Sequence, residues 1–204
     1  MDFTAIDFET ATSAYTSACS LGLCVVEDNV ITERKEILIR PYPFEFSEFN
    51  IKIHGITPGM VRNKPCFNGY WDEIRPYIEN RMVIAHNAPF DVGVLCSTLE
   101  HYSIKPPEFD YMCTVRLSQK AYPELESHRL NRLCGALGIE FEHHHAYDDA
   151  YACAEAFLRM AYDYSLESFE EMEECFDVKR GHVNEGGIVK RAKHSKSRRI
   201  KKAG

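Results

Sequence analysis

The chain has 204 residues, 45% of them hydrophobic and 27% charged, with 11 Gly and 9 Pro. That is enough apolar material for one substantial core, and it excludes a disordered, collagenous or repeat-fibre protein. The net charge is −7, from 24 basic and 31 acidic residues; phosphate contacts need Lys and Arg, so the sum alone argues against a nucleic-acid partner. Eight cysteines include no C-x-x-C pair, which excludes a zinc ribbon or a redox motif and predicts free buried thiols in a reducing compartment. The opening MDFTAIDFE carries no basic-then-apolar signal, and no apolar run approaches about 18 residues. A cytoplasmic protein with no membrane partner is expected.

In chain order, FTAIDF, CSLGLCVVED and NVITERKEILI read as strands of an antiparallel meander. The last two are joined at Asp28-Asn29, a dipeptide that tolerates the left-handed backbone of a tight hairpin. PYPFEF reads as an irregular loop, followed by HGIT and then by FNGYWDEIRPYIEN, a short helix containing Pro76. RMVIAH is a strand, and APFDVGVLCSTLEHY a helix with Pro89 in its first turn. EFDYMCT is a further strand, HRLNRLCGALG a helix ending at Gly138, and AYDDAYACAEAFLRMAYDY a longer amphipathic helix. This order predicts a mixed sheet with helices on its faces. From residue 179 onward there are ten Lys or Arg and one acid, Glu185. The predicted organisation is therefore a folded domain over 1–178, with 14 basic and 30 acidic residues, and a flexible basic tail over 179–204.

Four acids sit where apolar residues are expected. In AIDFET, Asp7 and Glu9 are two apart and leave the same face of the strand, roughly 6 to 7 Å apart. They repel one another unless a cation lies between them or the strand end turns out to water. On the helix after residue 88, positions 91, 94, 95, 98, 99 and 102 share a stripe, so Asp91 begins the apolar face. On the last helix Asp149 shares a face with Cys153, Phe157, Met160 and Ala161, whereas Asp148 falls with Ala152, Glu155 and Arg159. Four carboxylates converging on one point need counter-charge, and hard divalent cations with oxygen ligands supply it. A pair of such ions is the arrangement that cuts phosphodiesters. A general base is offered by His143-His144-His145; on a helix, positions 144 and 149 would be about 140° apart, so the histidine must lie in the preceding loop.

These residues resemble the motifs of the DnaQ-like, or DEDDh, 3′-5′ exonucleases related to the DNA polymerase III epsilon subunit. AIDFETA at 5–11, VIAHNAPFD at 83–91 and HHAYDDA at 144–150 occur in the family's order within residues 1–165, with HGIT at 54–57 between them. The resemblance implies an α/β, ribonuclease H-like fold with a five-stranded mixed sheet flanked by helices. It implies Asp7, Glu9, Asp91 and Asp149 as ligands of two Mg²⁺ or Mn²⁺ ions, and His144 as the base. Adjacent His143 and His145 compete for that reading; the H-x-A-x-x-D spacing favours His144. The resemblance also implies that Phe8, Thr10, His54, Asn87 and Phe90 line a pocket for the 3′-terminal nucleotide. The expected partner is a single-stranded 3′ end, DNA in preference to RNA, with a polymerase or repair protein as a further partner and the oligomeric state open. RNA trimming, or a non-catalytic module that binds nucleic acid or a polymerase, are the alternatives.

Overall fold

The computed structural model describes residues 1–189; residues 190–204 lie outside the described residues. Seven strands form one sheet in the order β3-β2-β1-β4-β5-β6-β7. They are β1 (Phe3–Thr10), β2 (Ala18–Glu27), β3 (Val30–Leu38), β4 (Met82–Ala85), β5 (Phe109–Cys113), β6 (Gly181–Asn184) and β7 (Gly187–Val189). β1 is antiparallel to β2 and β2 to β3, while β4 runs parallel to both β1 and β5. The predicted hairpin is present, with Asp28 and Asn29 both at positive φ.

The pleat of β1 divides the core between two faces. Phe3 and Ala5 pack toward α7 (Ala146–Asp163), α6 (Leu130–Leu137) and α8 (Phe169–Phe176). Ile6 and Phe8 pack toward α3 (Phe67–Ile74) and α4 (Ala88–His101) on the other side. The helical stripes follow the predicted periodicity: Asp91, Val94, Leu95, Thr98 and Leu99 are all buried, as are Asp149, Cys153, Phe157, Met160 and Ala161. The predicted helix around Pro76 ends at Ile74 and continues as a 3-10 turn, Arg75–Tyr77, because proline cannot donate to an α-helical carbonyl.

Two expectations are corrected. The sheet has seven strands rather than five, and the segment expected to begin a flexible tail at 179 is folded at least to Val189. Val183 is fully buried beside Phe109, its register partner on β5. His182 Nδ1 lies 2.8 Å from Asp110 Oδ1, and Arg180 pairs with Glu173 at 3.0 Å and with Glu170 at 2.6 Å. Only one residue of β6 faces the core, so apolar periodicity carries no signal there, and Arg180 uses its charge in ion pairs on the domain's own surface. Sequence reading also left unassigned α1 (Glu48–His54), α2 (Pro58–Val61), α5 (Thr114–Ala121) and α8. For α8 a signal exists: Ser168 and Glu171 form a capping box.

Candidate active site

Because Asp7 and Glu9 continue the side-chain alternation of Phe3 and Ala5, they emerge on the α7 face at the C-terminal end of β1. α7 delivers Asp149 in its first turn. Oxygens of Asp7, Glu9 and Asp149 lie within 4.8 Å of one another. Asp91, in the first turn of α4, comes from the opposite face of the sheet, and its Oδ1 accepts the Phe8 N–H at 2.9 Å. Asp91 and Asp149 are 1% and 4% exposed while Asp7 and Glu9 are half-buried, so the four acids meet at the ends of three elements with only part of the cluster open to water.

The electrostatics of this cluster oppose ionisation. Burial, and after it Asp91, Asp149 and Glu9, push Asp7 well above the usual carboxylate range. Burial, followed by Asp149 and Asp91, raises Glu9 to about 8. Burial likewise raises Asp91 to about 8, against the pull of the Phe8 N–H. Asp149 is raised by burial and held back by His143 and His144. Acidic oxygens gathered with no Lys or Arg paired to them among the described residues are the donor set that divalent cations take.

A consequence follows for stability. The folded-state values of Glu9 and Asp91 lie above the unfolded ones of about 4. Their contribution is therefore intact below about pH 4 and is lost as pH rises through about 8. In EDTA the thermal midpoint should fall between roughly pH 6 and pH 8.5, and millimolar Mg²⁺ or Mn²⁺ should raise it, by more at pH 8 than at pH 6. Differential scanning fluorimetry reads this directly; a metal-induced shift larger at the lower pH contradicts it.

The third motif is built more tightly than its sequence announces. His144 has φ 73, left-handed backbone at a non-glycine residue. This turn lets the His144 N–H donate to Asp149 Oδ2 at 3.0 Å while His143 Nδ1–H donates to Asp149 Oδ1 at 2.8 Å. The two rings stack at 3.9 Å, and both line the cleft. Burial, then the neighbouring His143, lowers His144 below its ordinary value, so its imidazole is free to accept a proton. His145 is the residue before α7 and does not line the cleft.

Two residues that sequence reading missed seat α7. Gly22 of β2 is the register partner of Asp7, and a Cβ there would lie 1.8 Å from the Ala146 carbonyl oxygen. Arg34 of β3 lies between the rings of Tyr147 and Tyr151, 4.1 Å from each, and pairs with Asp148 at 2.7 Å. Asp148 therefore secures the polar face of α7 while Asp149 turns inward.

A cleft of about 690 Å³ opens onto the cluster and is lined by Asp7, Phe8, Glu9, Asn87, Phe90 and Asp149, among others. Asn87 occupies left-handed backbone (φ 69) before α4 and makes no side-chain cap. Phe90 packs edge-on against Tyr15 at 5.5 Å, and a Cβ at Gly93 would lie 2.6 Å from the Tyr15 ring. Thr10 and His54 are both buried and are not among the residues lining the cleft. His54 Nδ1 accepts the Ile56 N–H at 3.0 Å, which leaves Nε2–H to donate to the Thr10 carbonyl at 3.2 Å. This histidine ties the end of β1 to the end of α1.

The exonuclease family model, of the RNase T type, matches residues 4–157. The chain belongs to the exonuclease family. The PolC-type DNA polymerase III of Halalkalibacterium halodurans is 30% identical to this exonuclease domain over 165 residues. That alignment covers 79% of this chain and 11% of the relative, so the chain spans about a tenth of the curated relatives it matches. Among solved structures, Exonuclease X in complex with 5′ overhanging duplex DNA superposes with a TM-score of 0.69 at 24% identity, covering 83% of this chain and 96% of that one. The nuclease domain of 3′hExo, a DEDDh family member bound to rAMP, gives 0.66 at 17% identity, covering 79% and 92%. The exonuclease domain thus has the ribonuclease H-like α/β fold of these neighbours. Among the described residues no helix is long and apolar enough to cross a membrane.

Proposed function

We propose that this exonuclease domain hydrolyses the terminal phosphodiester at the 3′ end of single-stranded DNA and releases nucleoside 5′-monophosphates. The observation that carries the reading is the gathering of Asp7, Glu9 and Asp149 oxygens within 4.8 Å at a cleft also lined by His144. Asp7, Glu9, Asp91 and Asp149 would hold two divalent ions, Mg²⁺ or Mn²⁺, which when bound supply charge neutralisation at the phosphate and activation of water. Asp7 and Glu9 accept no hydrogen bond among the described residues, so their oxygens are available as ligands. Asp91 braces the Phe8 backbone and so fixes the strand end that carries both acids.

His144 takes the proton of the attacking water. His144→Ala is expected to lower kcat about a hundredfold or more while the metal-induced rise in thermal midpoint persists. A near-wild-type His144→Ala beside an inactive His143→Ala would move the base to His143. Phe8, Asn87 and Phe90 contact the terminal nucleotide, and Thr10 and His54, hydrogen-bonded to one another, support the pocket from beneath.

DNA is favoured because the curated relatives are DNA polymerases and Exonuclease X is solved with DNA. RNA trimming is the second reading, supported by the likeness to 3′hExo, solved with rAMP. Hydrolysis of one sequence as single-stranded DNA and as RNA, with Mg²⁺ or Mn²⁺, separates them: DNA should be cut faster, and preferential cutting of RNA overturns the choice. A proofreading or repair role, with a polymerase or repair protein as partner, is part of this reading. The eight free cysteines fit a reducing cytoplasm. Residues 190–204, with eight Lys and Arg, supply phosphate attraction, and their deletion should flatten the salt dependence of DNA affinity.

A further inference from the structure

The cleft has a second wall, made by Val115 and Gln119 of α5 and by the connection from Glu126 to Leu130. This connection is braced. Leu130 is buried, and His128 Nδ1 lies 3.1 Å from Ser118 Oγ on α5. The His86 ring, 2.9 Å from Thr114 Oγ1 through Nδ1, has its proton affinity lowered by burial and, less strongly, raised by the His128 backbone close to it. From this wall the connection presents Arg129, the one Lys or Arg lining the cleft among the described residues. Arg129 is exposed and pairs with no acid among them. Asp7, Glu9 and Asp149 line the cleft from β1 and α7, and no ion pair joins them to Arg129 among the described residues. Arg129 is thus a cation of the cleft that stands apart from the carboxylate cluster.

A strand entering this cleft brings several phosphates. The one being cleaved must lie at the carboxylates, where like charge repels it until cations are bound. A guanidinium on a braced wall, with its fork unoccupied, matches a phosphate in two parallel hydrogen bonds. Resting on the exonuclease reading above, we infer that Arg129 holds a phosphate of the substrate strand other than the one cleaved, and so makes this domain prefer an oligonucleotide over a substrate carrying a single phosphate.

The test compares a single-stranded DNA oligonucleotide with thymidine 5′-(4-nitrophenyl phosphate), which carries one phosphate. Arg129→Ala should raise KM for the oligonucleotide about tenfold with kcat within about twofold, and should change kcat/KM for the ester by less than about threefold. Arg129→Lys should restore part of the loss, and the log–log salt slope of oligonucleotide affinity should fall by about 0.7 in Arg129→Ala. Equal losses on both substrates, or no loss on either, overturn the inference. Wild-type protein that hydrolyses neither substrate refutes the exonuclease reading instead. In that event oligonucleotide binding by anisotropy still decides the role of Arg129, since equal Kd and equal salt slope for wild type and Arg129→Ala overturn it.

Discussion

Asp7→Asn is expected to remove nearly all hydrolysis while making the metal-free domain more stable. The carboxylate lies among three others and accepts no hydrogen bond among the described residues, so the substitution keeps the shape and removes only charge. Loss of a carboxylate that would hold the cations should lower kcat/KM by about a thousandfold, or ~4 kcal/mol. In EDTA the same change relieves repulsion from Asp91, Asp149 and Glu9. About 1 kcal/mol of relief corresponds to a rise of roughly 2–4 °C in thermal midpoint for a domain of this size. The metal-induced shift should shrink in parallel. Wild-type, EDTA-sensitive activity in Asp7→Asn removes Asp7 from the site, and a lowered midpoint in EDTA would mean that the carboxylate has a structural partner. Activity and stability moving in opposite directions is the signature of a site assembled for a ligand.

Gly22→Ala should be the most damaging single methyl in the sheet. Its Cβ would stand 1.8 Å from the Ala146 carbonyl oxygen and 2.2 Å from the carbonyl carbon, both backbone atoms that no rotamer change can clear. α7 must then lift from β2 at the turn that delivers Asp149 and is tethered to His143 and His144. A cost of about 3 kcal/mol, at the upper end of overpacking effects, lowers the thermal midpoint by roughly 6–12 °C. Activity should fall further than the folded fraction does, because the displaced element carries Asp149, one of the proposed metal ligands. Gly135→Ala is the control: it lies in the interior of α6 with nothing within 4 Å of the new Cβ and should stabilise by about 0.5–1 kcal/mol. Thermal melts of both variants with kcat/KM at a temperature where each is folded check this. A Gly22→Ala protein as stable and active as wild type contradicts the seating of α7 described above.

These two sites differ in how visible they are in the sequence. The carboxylates were legible because each breaks a periodic pattern: Asp7 and Glu9 extend a buried strand face, and Asp91 and Asp149 begin apolar helical stripes. The choice of Asp149 over Asp148 rested on that periodicity, and the pairing of Asp148 with Arg34 gives its physical reason. Gly22 left no such trace, since a glycine inside LGLCVV reads as any weak strand position and only the close approach of α7 gives it meaning. His143 was visible as a neighbour of His144, but its bond to Asp149 depends on the left-handed backbone at 144. The strands β6 and β7 are hidden because a two-strand edge hairpin with one buried residue has no periodicity, and a basic composition resembles that of a tail. The charge of −7 misled for a related reason. Several of the acids behind it form the very site that cations would convert into a phosphate-binding surface.

The most direct measurement is digestion of one single-stranded DNA oligonucleotide labelled either on its 5′ end or on its 3′-terminal nucleotide, in Mg²⁺ or Mn²⁺ and again in EDTA. The 3′ label should appear first as a mononucleotide and the 5′ label as a ladder shortened one nucleotide at a time, with both stopped by EDTA and by Asp149→Asn. Mononucleotides released from the 5′ end, internal fragments, or cleavage that survives EDTA and Asp149→Asn would contradict a metal-dependent 3′ exonuclease built on Asp7, Glu9, Asp91 and Asp149.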